Sequence, residues 1–202
     1  MFTREKIVLS EDPFTYGYFD DILEDPTPLE YFPSWDKMHY MEGKKNIDMD
    51  DKHYKWHLNE THDGFLDALG PWAGLYDWLQ DGGFHDWALD MFGLDGMKEG
   101  RMEFSCLPND GGRMRAHTDS GHKYMSLIIF CSGYPQGFDA GPTKEGPWAR
   151  VEFVPNRLAF FVRNDESWHK VGPIDPATAD YPNQTRNTIT LNLLKQDVTK
   201  KK

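Results

Sequence analysis

Beyond Gly100 the chain is written in short alternating runs. The clearest is Arg186-Asn187-Thr188-Ile189-Thr190-Leu191-Asn192-Leu193, where Ile189, Leu191 and Leu193 share one face and Arg186, Thr188, Thr190 and Asn192 the other. That period of two is the signature of a strand. Residues 101–107, 114–119, 123–131, 149–154, 158–162 and 167–172 read as further strands, separated by Gly, Pro, Asn and Asp. Many short strands between turn signals predict a β-sandwich or barrel, jelly rolls included.

Before Gly100 the period changes. Trp72, Leu75, Tyr76 and Leu79 recur at i, i+3, i+4 and i+7, with Pro71 suited to a first helical position. Phe84, Trp87, Ala88 and Met91 repeat the spacing, and Gly93 is a stop signal. Two amphipathic helices packed on one face of the β unit are therefore expected. Residues 6–9 and 14–19 read as short strands around the Asp12-Pro13 turn, and residues 25–35, with three prolines, as a covering loop. Asp48-Met49-Asp50-Asp51 reads as a solvated loop. The expected architecture is mainly β with N-terminal helices (α+β), in one domain over 1–202. Residues 1–99 form a helical and strand elaboration, 100–194 the β core and 195–202 a tail.

Composition narrows the function. Hydrophobic residues make up 39% and aromatics 14%, enough for a real core. Acids outnumber bases 33 to 22, and the one basic run is Lys200, Lys201 and Lys202 at the end, so nucleic acid is not an expected partner. No stretch has signal-peptide character or the ~18 apolar residues of a membrane span, so no membrane partner is expected. Cys106 and Cys131 each fall inside a strand-like run and read as buried free thiols of a reducing compartment. A cytoplasmic location is the expectation.

Candidate chemistry starts at His117-Thr118-Asp119. On an extended strand, positions i and i+2 face the same way, so an imidazole and a carboxylate can meet one metal ion. A His-x-Asp pair arises by chance about once in a chain of this composition, so the pair needs support. His169 supplies it, 50 residues after Asp119 and behind the apolar run of 158–162. Two imidazoles and one carboxylate on an octahedral ion leave positions open for a co-substrate and oxygen, the arrangement of non-haem iron(II) oxygenases. Zinc favours thiolates or a third imidazole. Arg186 sits on the polar face of its strand, which meets either solvent or a ligand inside the barrel. A guanidinium turned inward binds a carboxylate with two parallel hydrogen bonds. His53 and His57, at i and i+4 with His62 nearby, have the spacing of a helical zinc pair but lack the following Glu of a metalloprotease.

The set His117-Thr118-Asp119, Pro155-Asn156-Arg157-Leu158-Ala159-Phe160-Phe161, Trp168-His169-Lys170-Val171 and Arg186-Asn187-Thr188-Ile189-Thr190-Leu191 resembles the 2-oxoglutarate and Fe(II)-dependent dioxygenase superfamily, in its prolyl-hydroxylase-like branch. The resemblance spans residues 100–194 and implies a double-stranded β-helix core, a distorted, cupin-like jelly roll. It makes His117, Asp119 and His169 the iron ligands, and gives the distal carboxylate of 2-oxoglutarate to Arg186, with a hydrogen bond from Thr188. It also implies Fe(II), 2-oxoglutarate and O2 as requirements, with ascorbate in support. 2-Oxoglutarate would be decarboxylated to succinate while a peptidyl residue, proline among the candidates, or a small metabolite is hydroxylated. Asp119 favours hydroxylation over halogenation, which needs that position for halide. Three departures stand out. Arg186 follows His169 by 17 residues, a long gap that makes 173–184 an extended loop. Collagen-type enzymes usually carry Lys where Arg186 stands. They also carry tyrosines before the His-x-Asp, and residues 102–119 have none. The N-terminal aromatics and the glycine-rich stretch 133–146 are expected to frame the substrate groove. The competing readings are a cupin-like metal- or ligand-binding barrel without oxygenase activity, and an oxygenase fold reduced to a binding module. Lys123 and Arg115 are rival co-substrate anchors.

Overall fold

The computed structural model describes residues 7–41, 54–93, 97–133, 135–174 and 185–195. The acidic run 48–51, His53 and most of the expected loop at 173–184 lie outside the described residues. Twelve strands form two antiparallel sheets. They are β1 (Ile7–Ser10), β2 (Tyr16–Phe19), β3 (His39–Tyr40), β4 (Trp56–Asn59), β5 (Met97–Leu107), β6 (Met114–His117), β7 (Lys123–Gly133), β8 (Phe138–Gly141), β9 (Ala149–Val151), β10 (Leu158–Val162), β11 (Trp168–Val171) and β12 (Arg186–Lys195). The major sheet runs β1-β2-β10-β7-β12-β5-β4-β3 and the minor sheet β6-β11-β8-β9. Two helices, α1 (Ala73–Gln80) and α2 (Gly83–Phe92), follow β4.

Strand alternation sorts the side chains into two cores. On β12, Ile189, Leu191 and Leu193 join Leu127 and Ile129 of β7, Phe160 of β10 and Phe104 of β5 on the outer face of the major sheet. There they receive Leu79 of α1 and Phe84, Ala88 and Met91 of α2, as the helical stripes predict. Gly93, in the left-handed region at φ 65°, ends α2 by giving its N–H to the Leu89 carbonyl. The opposite face looks between the sheets. Phe130 of β7 and Ala159 and Phe161 of β10 pack there on Phe138 and Ala140 of β8, Val151 of β9 and Val171 of β11. β10 is thus buried on both faces, which explains why its sequence is apolar throughout rather than alternating.

Three expectations need correction. Asp119 lies two residues past the end of β6, in the turn to β7, not on the strand itself. The glycine-rich stretch 133–146 is not all loop, because β8 runs through it and pairs with β11 on one side and β9 on the other. β4 and β3 add two strands the pattern did not reveal, and His57 lies on β4 rather than on a helix. The prolines of 25–35 direct a short 3-10 turn over Thr27–Glu30, and a second covers Trp35–Lys37. No described helix is long and apolar enough to cross a membrane.

Candidate active site

A cavity of about 300 Å³ opens between the sheets beyond the inner core. Its wall on β12 is the polar face anticipated from the sequence, with Arg186, Thr188, Thr190 and Asn192 all lining it. The antiparallel register explains the rest. His169 of β11 is paired directly with His117 of β6, so the two imidazoles project side by side with ring centroids 4.2 Å apart. The turn after β6 returns Asp119 to the same point, and one ligand atom from each of the three residues lies within 4.8 Å of the others.

Each group is fixed in the state a metal requires. His117 Nδ1 donates to the Arg115 carbonyl at 2.8 Å and His169 Nδ1 to the Ser167 carbonyl at 3.1 Å. The proton is thereby held on Nδ1, leaving each Nε2 a lone pair for the ion. Burial keeps both rings neutral. It pushes His169 down to about 3, helped by the adjacent His117, and lowers His117 as well. For Asp119 burial opposes ionisation, but the Lys123 ammonium and hydrogen bonds from Lys123 and Ser126 outweigh it and hold the carboxyl well below its usual range. Lys123 Nζ donates to Oδ1 at 2.8 Å and Ser126 Oγ to Oδ2 at 2.6 Å, while Arg163 Nε donates to the Asp119 carbonyl at 3.1 Å. Ser126 Oγ also lies 2.9 Å from the Asn192 side-chain amide, so β12 supports the carboxylate through β7. Two neutral imidazoles and one carboxylate, clustered and oriented, suit a divalent first-row ion with open positions.

Arg186 lines the cavity and is 2% exposed. Its Nε donates to the Gln136 carbonyl, and its guanidinium carbon is 5.5 Å from the ring centroids of Phe130 and Phe153. One terminal nitrogen, Nη2, is buried with no hydrogen-bond partner among the described residues. Among the described residues no carboxylate pairs with it, and burial pushes the group down to about 9. A buried cation with an unused donor, in the same cavity as a metal-ligand cluster, is a receptor for an anion. Lys123, a rival anchor by sequence, is committed to Asp119, and Arg115 does not line the cavity. Thr188 is buried beside Arg186 and donates to the Ser105 carbonyl at 3.3 Å.

Comparison with known proteins separates sequence from shape. No family model matches the sequence, and no curated protein matches it. Solved structures do. A prolyl-4-hydroxylase from Pseudomonas putida aligns over 89% of this chain and 92% of its own, with TM-score 0.61 at 14% identity. A Trichoplax adhaerens prolyl hydroxylase, solved with a peptide fragment of the hypoxia inducible factor oxygen degradation domain, aligns over 90% and 84%, with TM-score 0.62 at 11% identity. A prolyl 4-hydroxylase from Phytophthora capsici aligns over 91% of this chain and 59% of its own, with TM-score 0.58 at 13% identity. The chain has the prolyl-hydroxylase fold. Its two sheets are those of a double-stranded β-helix, as the sequence resemblance implied, and the helices pack on the outer face of the larger one.

Three residues of this site escaped the sequence reading. Ser126, a lone polar residue in the apolar run of β7, carried a faint signal. Lys55 of the segment leading into β4 and Glu103 of β5 carried none, because nothing local tells which face of those strands meets the cavity.

Proposed function

We propose that the protein is a non-haem Fe(II) dioxygenase that couples decarboxylation of 2-oxoglutarate to succinate with hydroxylation of a peptidyl residue, proline being one candidate, or of a small molecule. The observation carrying this reading is the buried Arg186 guanidinium, its Nη2 without a partner among the described residues, in one cavity with His117, Asp119 and His169. A metal-binding barrel without redox chemistry has no use for a buried cation there. An oxygenase that takes a dicarboxylate co-substrate has one.

The two Nε2 atoms and one Asp119 oxygen would hold the iron, and the Arg186 fork would take the far carboxylate of the keto acid. Bound iron with 2-oxoglutarate and oxygen supplies the oxidising chemistry. The chain's own part is orientation and exclusion. Ser167 and Arg115 carbonyls aim the imidazoles, Lys123 and Ser126 set the carboxylate, Phe138 and Phe161 give the cavity an apolar wall, and Phe130 and Phe153 pack against Arg186. Two buried free thiols support a reducing, cytoplasmic setting.

The test is succinate release by purified protein given Fe(II), ascorbate, oxygen and 2-oxoglutarate. Wild type is expected to release succinate slowly without its prime substrate. Asp119→Ala should abolish release, and Arg186→Ala should raise the 2-oxoglutarate KM at least tenfold. Absence of both succinate and 2-oxoglutarate binding in wild type would return the protein to the non-redox barrel class.

A further inference from the structure

The two side chains that hold the Asp119 carboxylate differ in kind. Ser126 Oγ donates to Oδ2 at 2.6 Å and Lys123 Nζ to Oδ1 at 2.8 Å. The Asp119 side chain is 8% exposed and that of Lys123 22%, so the ammonium is drawn well into the fold to make this contact. A hydroxyl orients a carboxylate without bringing charge, as Ser126 does. What Lys123 adds is a full positive charge beside the residues that would hold a metal.

β7 departs from regular alternation to place that charge. Met125, Leu127 and Ile129 belong to the outer core, whereas Ser126 and Ile128 line the cavity. Strict alternation would send Lys123 outward with Met125. The pairing with β12 slips instead. Leu193 stands opposite Met125 but Leu194 opposite Lys123, so Tyr124 has no counterpart on β12. A bulge of this kind re-aims the side chains beyond it. Lys123 therefore lines the cavity together with Asn192 and Leu194 of β12, while Tyr124 packs against the outer core. The irregularity delivers a cation to the one carboxylate of the cluster.

We propose that Lys123 is a resident competitor of the metal, the counter-ion of Asp119 in metal-free protein and a brake on affinity once the ion binds. One ligand atom each of His117, Asp119 and His169 lies within 4.8 Å of the others, so an ion held by all three shares the carboxylate with the ammonium. With both imidazoles neutral, the charges of Asp119 and Lys123 cancel, and a divalent ion enters a cluster without net charge. Removing the ammonium leaves the same ion an uncompensated carboxylate in a buried setting, where like charges this close repel strongly. The fold can therefore close on Asp119 before metal arrives, and the metal stays exchangeable, its occupancy following the free concentration of the ion. The inference rests on the three residues being a metal site, not on the co-substrate or the reaction.

Mn(II) titrated into the chelator-stripped full chain, with the free ion read by electron paramagnetic resonance, tests the sign of the effect. Lys123→Met should bind Mn(II) more tightly than wild type, by about tenfold or more. Without metal it should melt at a lower temperature, because Asp119 has lost its counter-ion. Lys123→Gln keeps a donor and loses the charge, so it should tighten binding as well, and it decides the matter if the methionine variant does not fold. Lys123→Arg keeps the charge and should bind like wild type. Ser126→Ala removes the uncharged donor and should not tighten binding. A lysine that only orients the carboxylate predicts the reverse, since losing it would loosen Asp119 and weaken the metal. Neutral variants that bind Mn(II) no more tightly than wild type overturn the proposal and leave the metal site standing. If neither wild type nor any Lys123 variant binds Mn(II), the metal reading falls and the proposal with it.

Discussion

A fold gains nothing from keeping a guanidinium 2% exposed with one nitrogen unsatisfied. Arg186 should therefore be a residue whose loss helps stability and harms binding. Arg186→Met is expected to stabilise the ligand-free protein by on the order of 1 kcal/mol in urea unfolding, because desolvation of an unbalanced charge disappears. In the same variant 2-oxoglutarate binding should vanish. A variant less stable than wild type would mean that the Nε bond to the Gln136 carbonyl outweighs the buried charge. The ligand histidines predict the opposite pH behaviour to a surface histidine. Folding pushes His169 from its ordinary value near 6.5 down to about 3. Between those values the unfolded chain binds the proton that the folded chain refuses, so stability is whole above about pH 6.5 and falls as pH drops. Asp119 and Glu103, also held low, add to the loss once pH passes below the ordinary carboxylate range. In metal-free protein the urea midpoint should decline from pH 6.5 to 4.5, and His169→Gln should flatten that decline. An unchanged slope would show that His169 does not set it.

Elements were legible where one face is apolar and local. The stripes of α1 and α2 and the alternation of β12 appear in the sequence at nearly their observed bounds, because burial of one face imposes its period directly. β3, β4 and β8 were not legible. They are two to four residues long and mix polar and apolar positions, and only neighbours distant in sequence hold them. The His117, Asp119 and His169 cluster was legible because His-x-Asp is a short local spacing and the distal His follows the apolar run of β10. Lys55 and Glu103 were not, since their pairing joins residues 48 apart through the β4–β5 register. One close approach ties helix to sheet. A Cβ placed at Gly100 of β5 would come 2.1 Å from Leu79 Cδ1 of α1, far inside contact distance. Gly100→Ala should thus destabilise the protein by about 1–3 kcal/mol, the usual range for overpacking. Adding Leu79→Ala should make the double variant less unstable than the sum of the two single changes. Simple additivity in denaturant melts would show that α1 does not dock through this contact.

At the scale of the whole molecule, the features converge on linkage between ligand and fold. The residues that would hold the iron come from β6, the β6–β7 turn and β11, while the proposed co-substrate anchor comes from β12 of the other sheet. A metal held by the first set would tie the minor sheet to the β6–β7 turn, and a dicarboxylate held by that metal and by Arg186 would tie the two sheets together. Each ligand binds only the folded chain, so each should raise stability by RT ln(1 + [L]/Kd), about 2.7 kcal/mol at a hundredfold excess over Kd. Redox-silent Mn(II) allows this to be measured without turnover. Mn(II) should raise the thermal midpoint of wild type, and 2-oxoglutarate should raise it again only when Mn(II) is present. Arg186→Met should keep the first increment and lose the second, whereas Asp119→Ala should lose both, because the keto acid then has no metal to chelate. A 2-oxoglutarate increment that survives without metal would make Arg186 a free-standing anion site. The two sheets would then respond independently, and the cavity could not be one two-part site closed across the β-helix.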